Sequence, residues 1–503
     1  MGVFDSGVRR ILLVDLKPYD VSASSLVTKR VASEPYATQP SDSPANVIYH
    51  GVVQDDVFID RSMFTGDNVG GPSIPDFGSL TINNPMQPDT GSQFDAWLDP
   101  SQFAWQGRGI DIHVLEDGTA FSTKTTVFSG VISELEYEEN TIRFKLKSKA
   151  YLLDFPLQEN RYTGAGGDEG AADLADKSKP LCFGRNANVS PVFVDTSALR
   201  YQYHDGAVSA NNASRDKGAA LTETTDYSNA LAVGIIDLVA EADGDLTQDI
   251  QGSTLGASYS AKPADIMAYI AASLRGLTVN TSSVSAVNAA RGYEIGYYTG
   301  SDNPTTPAAL TDIAKTFNGY YGLNRAGEFD VGIFDSPSST ADISLTEADI
   351  VLDSLKRTAL RDIVHKVVIN FRPNNTVQNA NSLAGGVTEA NKALYGRDHQ
   401  ITVTAEDASV LTKYPEAREL VIDTVIYNEA NAQNLANSLL AYWKVPRAKF
   451  TLQTTNLTPL SVDINDVVKI THSRYNLSAG VNFSVIRFKE FYLQNRVELT
   501  VAG

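Results

Sequence analysis

The chain has 503 residues, 42% of them apolar and 20% charged, with a net charge of −19 at pH 7. That length allows three or four domains, and the acidic balance argues against a surface built to grip nucleic acid, which needs Lys and Arg against phosphates. The single cysteine, Cys182, excludes an intrachain disulfide framework and a cysteine-rich metal site; no run approaches the ~20 apolar residues of a membrane helix, and Met1–Arg10 has no apolar core of signal-peptide length.

Residues 1–160 read as mostly β. Apolar and alternating runs predict strands at Arg10–Leu16, Leu26–Ala32, Val47–Ile59, Gly78–Ile82 and Gly109–Leu115. Turn-rich stretches at Gln39–Pro44 and Gly66–Pro72 separate them. A hairpin follows over Phe128–Lys147, where Ile142, Phe144 and Leu146 alternate with Arg143, Lys145 and Lys147. Arg161–Asp176 is rich in glycine and acid and reads as a loop; strands resume at Leu181–Val194 and Ala198–His204.

From 260 to 335 the pattern becomes helix, helix, hairpin. Pro263 opens the first helix, Met267, Ile270, Ala271 and Leu274 form its stripe, and Gly276 stops it. Thr306 and Pro307 supply a cap and first-turn pair for the second helix, whose stripe is Leu310, Ile313, Ala314 and Phe317 before Gly319. The hairpin is Tyr320–Leu323, a turn at Asn324–Gly327, and Glu328–Phe334. In the last module, strand Lys366–Phe371 leads into a polar stretch, Arg372–Asn391. A long helix starts near Asn428, with Ala432, Leu435, Ala436, Leu439, Leu440 and Trp443 on one face, and Val445 with Pro446 ends it. Strands follow at Lys449–Thr454, Asp466–Thr471, Phe483–Tyr492 and Arg496–Val501.

The final hairpin repeats the first. Val497, Leu499 and Val501 alternate with Arg496, Glu498 and Thr500, matching Ile142, Phe144 and Leu146. Both copies start with Phe-Ser (Phe128-Ser129, Phe483-Ser484) and both place Asn in the turn (Asn140, Asn495). Duplication and coincidence both remain open at this stage, since most hairpins alternate. A real duplication favours a scaffold or ring over a single catalytic cleft. The expected fold is mainly β with α+β insertions: two β-barrel-like domains plus a small helix-helix-hairpin module. The expected boundaries are 1–160 for the N-terminal β domain, 161–255 for a β-rich connecting region, 256–344 for the small α/β module, and 345–503 for the C-terminal β domain with its long helix at 428–444.

Catalytic signatures are missing. There is no Gly-x-Ser-x-Gly elbow, Walker loop or His-Glu-x-x-His. The glycines of Gly164–Gly170 lack a Lys-Ser/Thr ending, and Asp168 and Glu169 would repel a phosphate. His50, His113, His204, His365, His399 and His472 are too scattered to suggest a metal pair. Glu241, Asp243, Asp245 and Asp249 have the wrong order for an EF-hand and read as a solvated turn. Glu134, Glu136, Glu138 and Glu139 read as the wet face and turn of the first hairpin; Trp97, Trp105 and Trp443 read as packing. The chain is expected to be no enzyme, with no catalytic, cofactor-binding or metal residues and no cofactor; its interface residues are unknown.

Three stretches together carry a family resemblance. They are Phe77–Asn84 through Phe94–Leu98 to Trp105–Arg108; Leu157–Tyr162, Asp173-Leu174, Lys179–Gly184, Asn188–Val192 and Tyr201–Gly206; and Ala417–Leu420, the long helix, and Asp466–His472. In this order the chain resembles tail proteins of long-tailed, siphovirus-like bacteriophages and prophages, and its last segment resembles the baseplate hub. The resemblance implies a structural virion protein of the tail tip, a homotrimer whose two hub domains per chain make a ring with six-fold pseudo-symmetry. Such a hub would adapt the hexameric tail tube to a threefold tip and anchor host-recognition fibres. The implied partners are the tail tube or distal tail protein, the tape-measure protein, and tail fibre or central fibre proteins, with DNA passing but not specifically bound. Assembly in the host bacterial cytoplasm is implied. A receptor-binding tail protein and a tail-associated glycan hydrolase remain as alternatives.

Overall fold

A computed structural model describes residues 9–503 except 55, 64–68, 85, 88–90, 93, 361 and 455–461. The expected turn at Gly66–Pro72 lies partly outside the described residues, as does most of Met1–Arg10.

The N-terminal sheet begins with β1 (Arg10–Asp20). Both faces of this strand are apolar: Leu12, Val14 and Leu16 enter the main core, while Ile11 and Leu13 pack with Tyr49, Leu115 and Phe121. β2 (Lys29–Ala32) and β3 (Ile48–Gly51) follow. Next come β4 (Phe58–Ser62), β5 (Ile74–Phe77) and β6 (Ser79–Asn83). The long strands β7 (Phe103–Glu116), β8 (Thr125–Glu138) and β9 (Thr141–Ser148) complete the set. The sheet order is β3-β2-β1-β7-β8-β9-β6. Just beyond β3, Val53 bridges Ile82 of β6, and Gln54 N–H donates to the Thr81 carbonyl at 2.9 Å. One short segment therefore lies at both ends of the sheet and closes it into a barrel, which leaves no long open edge along that rim. The predicted strand Val47–Ile59 is two strands, because residues around Val53 turn from one pairing to another.

In the connecting region the strand Leu181–Val189 pairs with Leu246–Ser253 and with Gly296–Thr299. A small sheet of Val192–Asp195, Arg200–Gln202, Tyr227–Ala230 and Ile235–Leu238 lies beside it. The α/β module holds α1 (Pro263–Tyr269), α2 (Thr281–Arg291) and α3 (Thr306–Lys315), then β10 (Gly319–Leu323) and β11 (Phe329–Ile333). The sequence reading missed α2, and it placed the α3 cap one residue late: Thr305 caps, its hydroxyl accepting from Ala308 N–H at 3.4 Å.

The C-terminal part contains β12 (Ile343–Thr346), β13 (Lys356–Ala359), β14 (Val364–Pro373), β15 (His399–Glu406) and β16 (Arg418–Asp423). Then come α4 (Glu429–Trp443), β17 (Ala448–Thr454), β18 (Val467–Thr471), β19 (Val481–Phe491) and β20 (Arg496–Ala502). Asn428 caps α4, and the six predicted face residues, Ala432 to Trp443, are all buried. β15, β14 and β16 make a separate sheet, of which the sequence reading found β14 alone. The main sheet runs β12-β18-β19-β20-β17-β13. Ile350, just after β12, bridges Thr454 of β17, so this sheet closes on itself too. The molecule is mainly β, with two barrel-like sheets, as expected.

Candidate functional site: two matching barrels and the seam between them

Four strands of each barrel correspond in order, direction and register. They lie as β7-β8-β9-β6 in one and β18-β19-β20-β17 in the other, antiparallel throughout. The second strand of each set carries one extra residue, between Ile132 and Glu134 in β8 and between Val485 and Arg487 in β19. Such a bulge kinks a strand and is a designed feature. From it, pairs Glu134↔Lys145 to Glu138↔Thr141 lead to one turn, and Arg487↔Thr500 to Phe491↔Arg496 lead to the other. Two residues before the matching pairs Gly109↔Val131 and Val467↔Ser484, Gly107 and Asn465 hold the same place, and both have left-handed backbone, φ +73° and +75°. Gly and Asn adopt that conformation at least cost. The closing bridges agree as well: Val53 meets Ile82 opposite Ile142, and Ile350 meets Thr454 opposite Val497.

This register corrects one detail of the sequence alignment. β9 and β20 correspond one for one, as read. Counted from the bulge, however, Phe483 corresponds to Gly130, not Phe128. The turn explains the slip: Glu139 and Asn140 join β8 to β9, whereas 492–495 join β19 to β20.

The copies differ in what covers the edge beyond the bulge. In the C-terminal barrel, β4 pairs with it from Phe58↔Phe491 to Ser62↔Arg487. β4 also pairs with β5, and both join the sheet of the C-terminal barrel, so residues of the N-terminal part extend that sheet across the seam. Asp60 accepts from Arg487 Nε at 2.9 Å across this seam. Burial follows: Glu490 is 0% exposed. In the N-terminal barrel the same edge, Glu134–Glu138, pairs with no strand among the described residues. There Tyr137, which corresponds to Glu490, is 60% exposed.

A buried charge network closes the seam. Arg61 of β4 donates to Asp463 at 2.5 Å, to Ser73 Oγ at 3.1 Å and toward Asp330 of β11 at 3.5 Å. Arg325, in the turn between β10 and β11, pairs bidentately with Glu490, one bond being 3.1 Å. Tyr492 O–H also donates to Glu490, at 2.9 Å. N-terminal barrel, α/β module and C-terminal barrel thus each contribute charge. Burial pushes the Asp463 carboxyl up, but the Arg61 and Arg325 guanidiniums outweigh it and hold the carboxyl below the usual range. Burial raises Asp330, with Arg61 opposing. Burial, with the charges of Asp342 and Asp463 adding to it, raises Asp466 to about 6.

The raised Asp466 carboxyl has a signed consequence. The folded state binds its proton more tightly than the unfolded chain, so this group's contribution to stability falls as pH rises from about 4 to about 6. Asp466→Asn should therefore gain stability over wild type across that window and hold the gain above it. Parallel thermal melts at pH 4, 5, 6 and 7 check this; a constant wild-type-to-variant difference refutes it.

Asp330, Asp463 and Asp466 also line a cleft of about 500 Å³ with Asn280, Ser283 and Tyr320. Elsewhere the candidate residues are dispersed. Trp105 Nε1 donates to the Trp97 carbonyl at 2.6 Å, and all three tryptophans are buried. His204 is buried and accepts from Cys182 N–H at 3.0 Å, and burial lowers it to about 4. His113 meets Thr126 at 2.9 Å, and His472 lies 3.8 Å from Glu347. Glu169 in the glycine loop pairs with Lys179 at 2.6 Å. Asp249 accepts from Asn188 N–H at 2.9 Å and pairs with Arg215, while Asp243 and Gly244 N–H donate to Asp216. Glu134 and Glu136 pair with Lys145 on the wet face of the hairpin. The sequence reading missed the seam residues, since Arg61 and Asp463 carry no local signal.

No protein-family model matches the chain, and no curated protein matches it. Solved structures do. A tail protein from Neisseria meningitidis MC58 is similar over 98% of this chain and 97% of its own, at 10% identity and a TM-score of 0.42. A 43 kDa tail protein of prophage MuSo2 from Shewanella oneidensis is similar over 98% of both chains, at 13% identity and a TM-score of 0.41. A prophage tail protein from Listeria monocytogenes EGD-e matches 98% of this chain and 94% of its own, at 9% identity and a TM-score of 0.41.

Proposed function

We propose that this chain is a structural subunit of a bacteriophage tail tip, the baseplate hub. In this reading it is a homotrimer, and the two barrels of each chain make a ring of six look-alike units. The units are the N-terminal barrel within 1–160, the C-terminal barrel within 345–503, and between them the connecting region and α/β module as decoration. The carrying observation is the shared register of the two four-stranded sets, down to bulge, bridge and left-handed residue. Two equivalent surfaces on one chain let three subunits meet a sixfold tube end. The sequence resemblance points the same way. The ring would sit in the virion between the tail tube or distal tail protein and the fibres, with the tape-measure protein and DNA on its axis. Electron cryo-microscopy of tail particles carrying this chain tests the reading. Three copies with six barrels at one radius are expected; another copy number, or barrels at two radii, overturns it.

The cleft at Asp330 and Asp466 favours a second reading, a glycan hydrolase, because two carboxyls there are raised. Release of fragments from purified cell wall, lost in both Asp330→Asn and Asp466→Asn, would support it. No release by the wild-type chain rejects it.

A further inference from the structure

The seam inside one chain has a mirror in the two edges left over. β4 pairs with β5, which runs on through Gly78 into β6, and its outer edge meets β19. β13 holds the corresponding place in the other barrel. It pairs with β17, from Lys356↔Thr451 to Ala359↔Ala448, just as β4 pairs with β5. Its outer edge pairs with no strand among the described residues, and all four of its residues are exposed. The edge corresponding to β19's is Glu134–Glu138 of β8. One chain therefore displays one donor edge and one acceptor edge of a seam it has already built once.

We propose that β13 of one copy pairs antiparallel with the Glu134–Glu138 edge of β8 in the next copy, so that sheet continues around the ring. The inference rests on the trimeric reading above and names its contact. The register follows from the seam already formed. Phe58 lies against Phe491 there, and their counterparts are Arg357 and Glu138. Thr358 then faces Tyr137, and Leu360 faces Leu135. Lys356 comes beside Glu139.

Charge selects this occupant. Edge strands ordinarily carry charges that keep sheets apart, yet here the two edges carry opposite signs. In the built seam, on the face that carries Asp60, the acceptor edge is basic (Arg487, Lys489) and meets Asp60, while on the buried face Arg61 pairs with Asp463 and Glu490 with Arg325. In the open seam the acceptor edge is acidic and meets Lys356 and Arg357. On that face Asp60 fits Arg487 and Lys489 and would be repelled by Glu136, while Arg357 fits Glu138, which favours the alternation of barrels around a ring. A head-to-tail contact of this kind closes into a ring when its rotation permits.

The test uses the full chain in assembled tail particles. Cys182 is buried, so Glu138→Cys with Arg357→Cys offers a single new pair. Mild oxidation should give a covalent ladder ending at trimer, which neither single-cysteine variant gives. Charge exchange is the second arm. Glu138→Arg should cut the yield of assembled particles at least about tenfold, and adding Arg357→Glu should restore it. Threefold particles with no ladder and no rescue overturn the seam and leave the ring standing. Particles that are not threefold overturn the ring, and the seam with it.

Discussion

Replacing Arg325 with Met is expected to lower the stability of the folded chain by about 3–5 kcal/mol, because it leaves a fully buried carboxylate without its partner. Glu490 is 0% exposed, and the two other groups near it offer little. Tyr492 supplies one neutral hydrogen bond, while the seam strand on the far side presents Ile59. Burial and the Glu490 charge, with Arg325 opposing them, hold the Tyr492 hydroxyl well above its usual range, so it stays protonated as a donor. Changing both partners, Arg325→Met with Glu490→Leu, should recover part of the loss, since no buried charge is then left alone, although the Tyr492 hydroxyl gives up its acceptor. Chemical unfolding of the three proteins decides it. A double variant as weak as the single one would mean that the pair itself, not the orphaned charge, stabilises the seam.

Gly296→Val should be as damaging by a different route. A Cβ there would lie 1.8 Å from the Arg185 carbonyl oxygen, which belongs to the paired strand's backbone and has nowhere to go. Across the same ladder, Gly184 has φ +63°, and a Cβ on it would lie 2.1 Å from the Ile295 carbonyl oxygen. Both glycines let two backbones approach where the connecting region joins the α/β module. We expect a loss of about 4 kcal/mol or more, with new protease cuts in 190–250 appearing before cuts in either barrel. Unchanged proteolysis with a normal melt would show that the ladder can open without cost.

Much of the architecture was legible where local pattern decides it. Alternation found β9 and β20, and the 3.6-residue stripe found α1, α3 and α4. α2 escaped because Thr281, Ser282, Ser283 and Ser285 crowd it with residues that prefer caps and turns; only Val287 is buried along it. The Phe-Ser match misled because a turn longer by two residues shifts one strand against its mate without disturbing the alternation of either. The seam could not be read at all. Arg61 lies 402 residues from Asp463 in the chain, and nothing near either residue announces the other. Its existence depends on β4 leaving a turn in the right direction, which is a property of the closed barrels.

The two barrels keep the same skeleton and have exchanged their side chains. Gly107 and Asn465 hold the same backbone twist with different chemistry, and the acid of one edge is the base of the other. In the proposed ring, a partner that docks by main-chain hydrogen bonds or by outline would find six places to sit. A partner that reads side chains would find three. In that ring the fold would convert one stoichiometry into another by separating what shape repeats from what charge repeats.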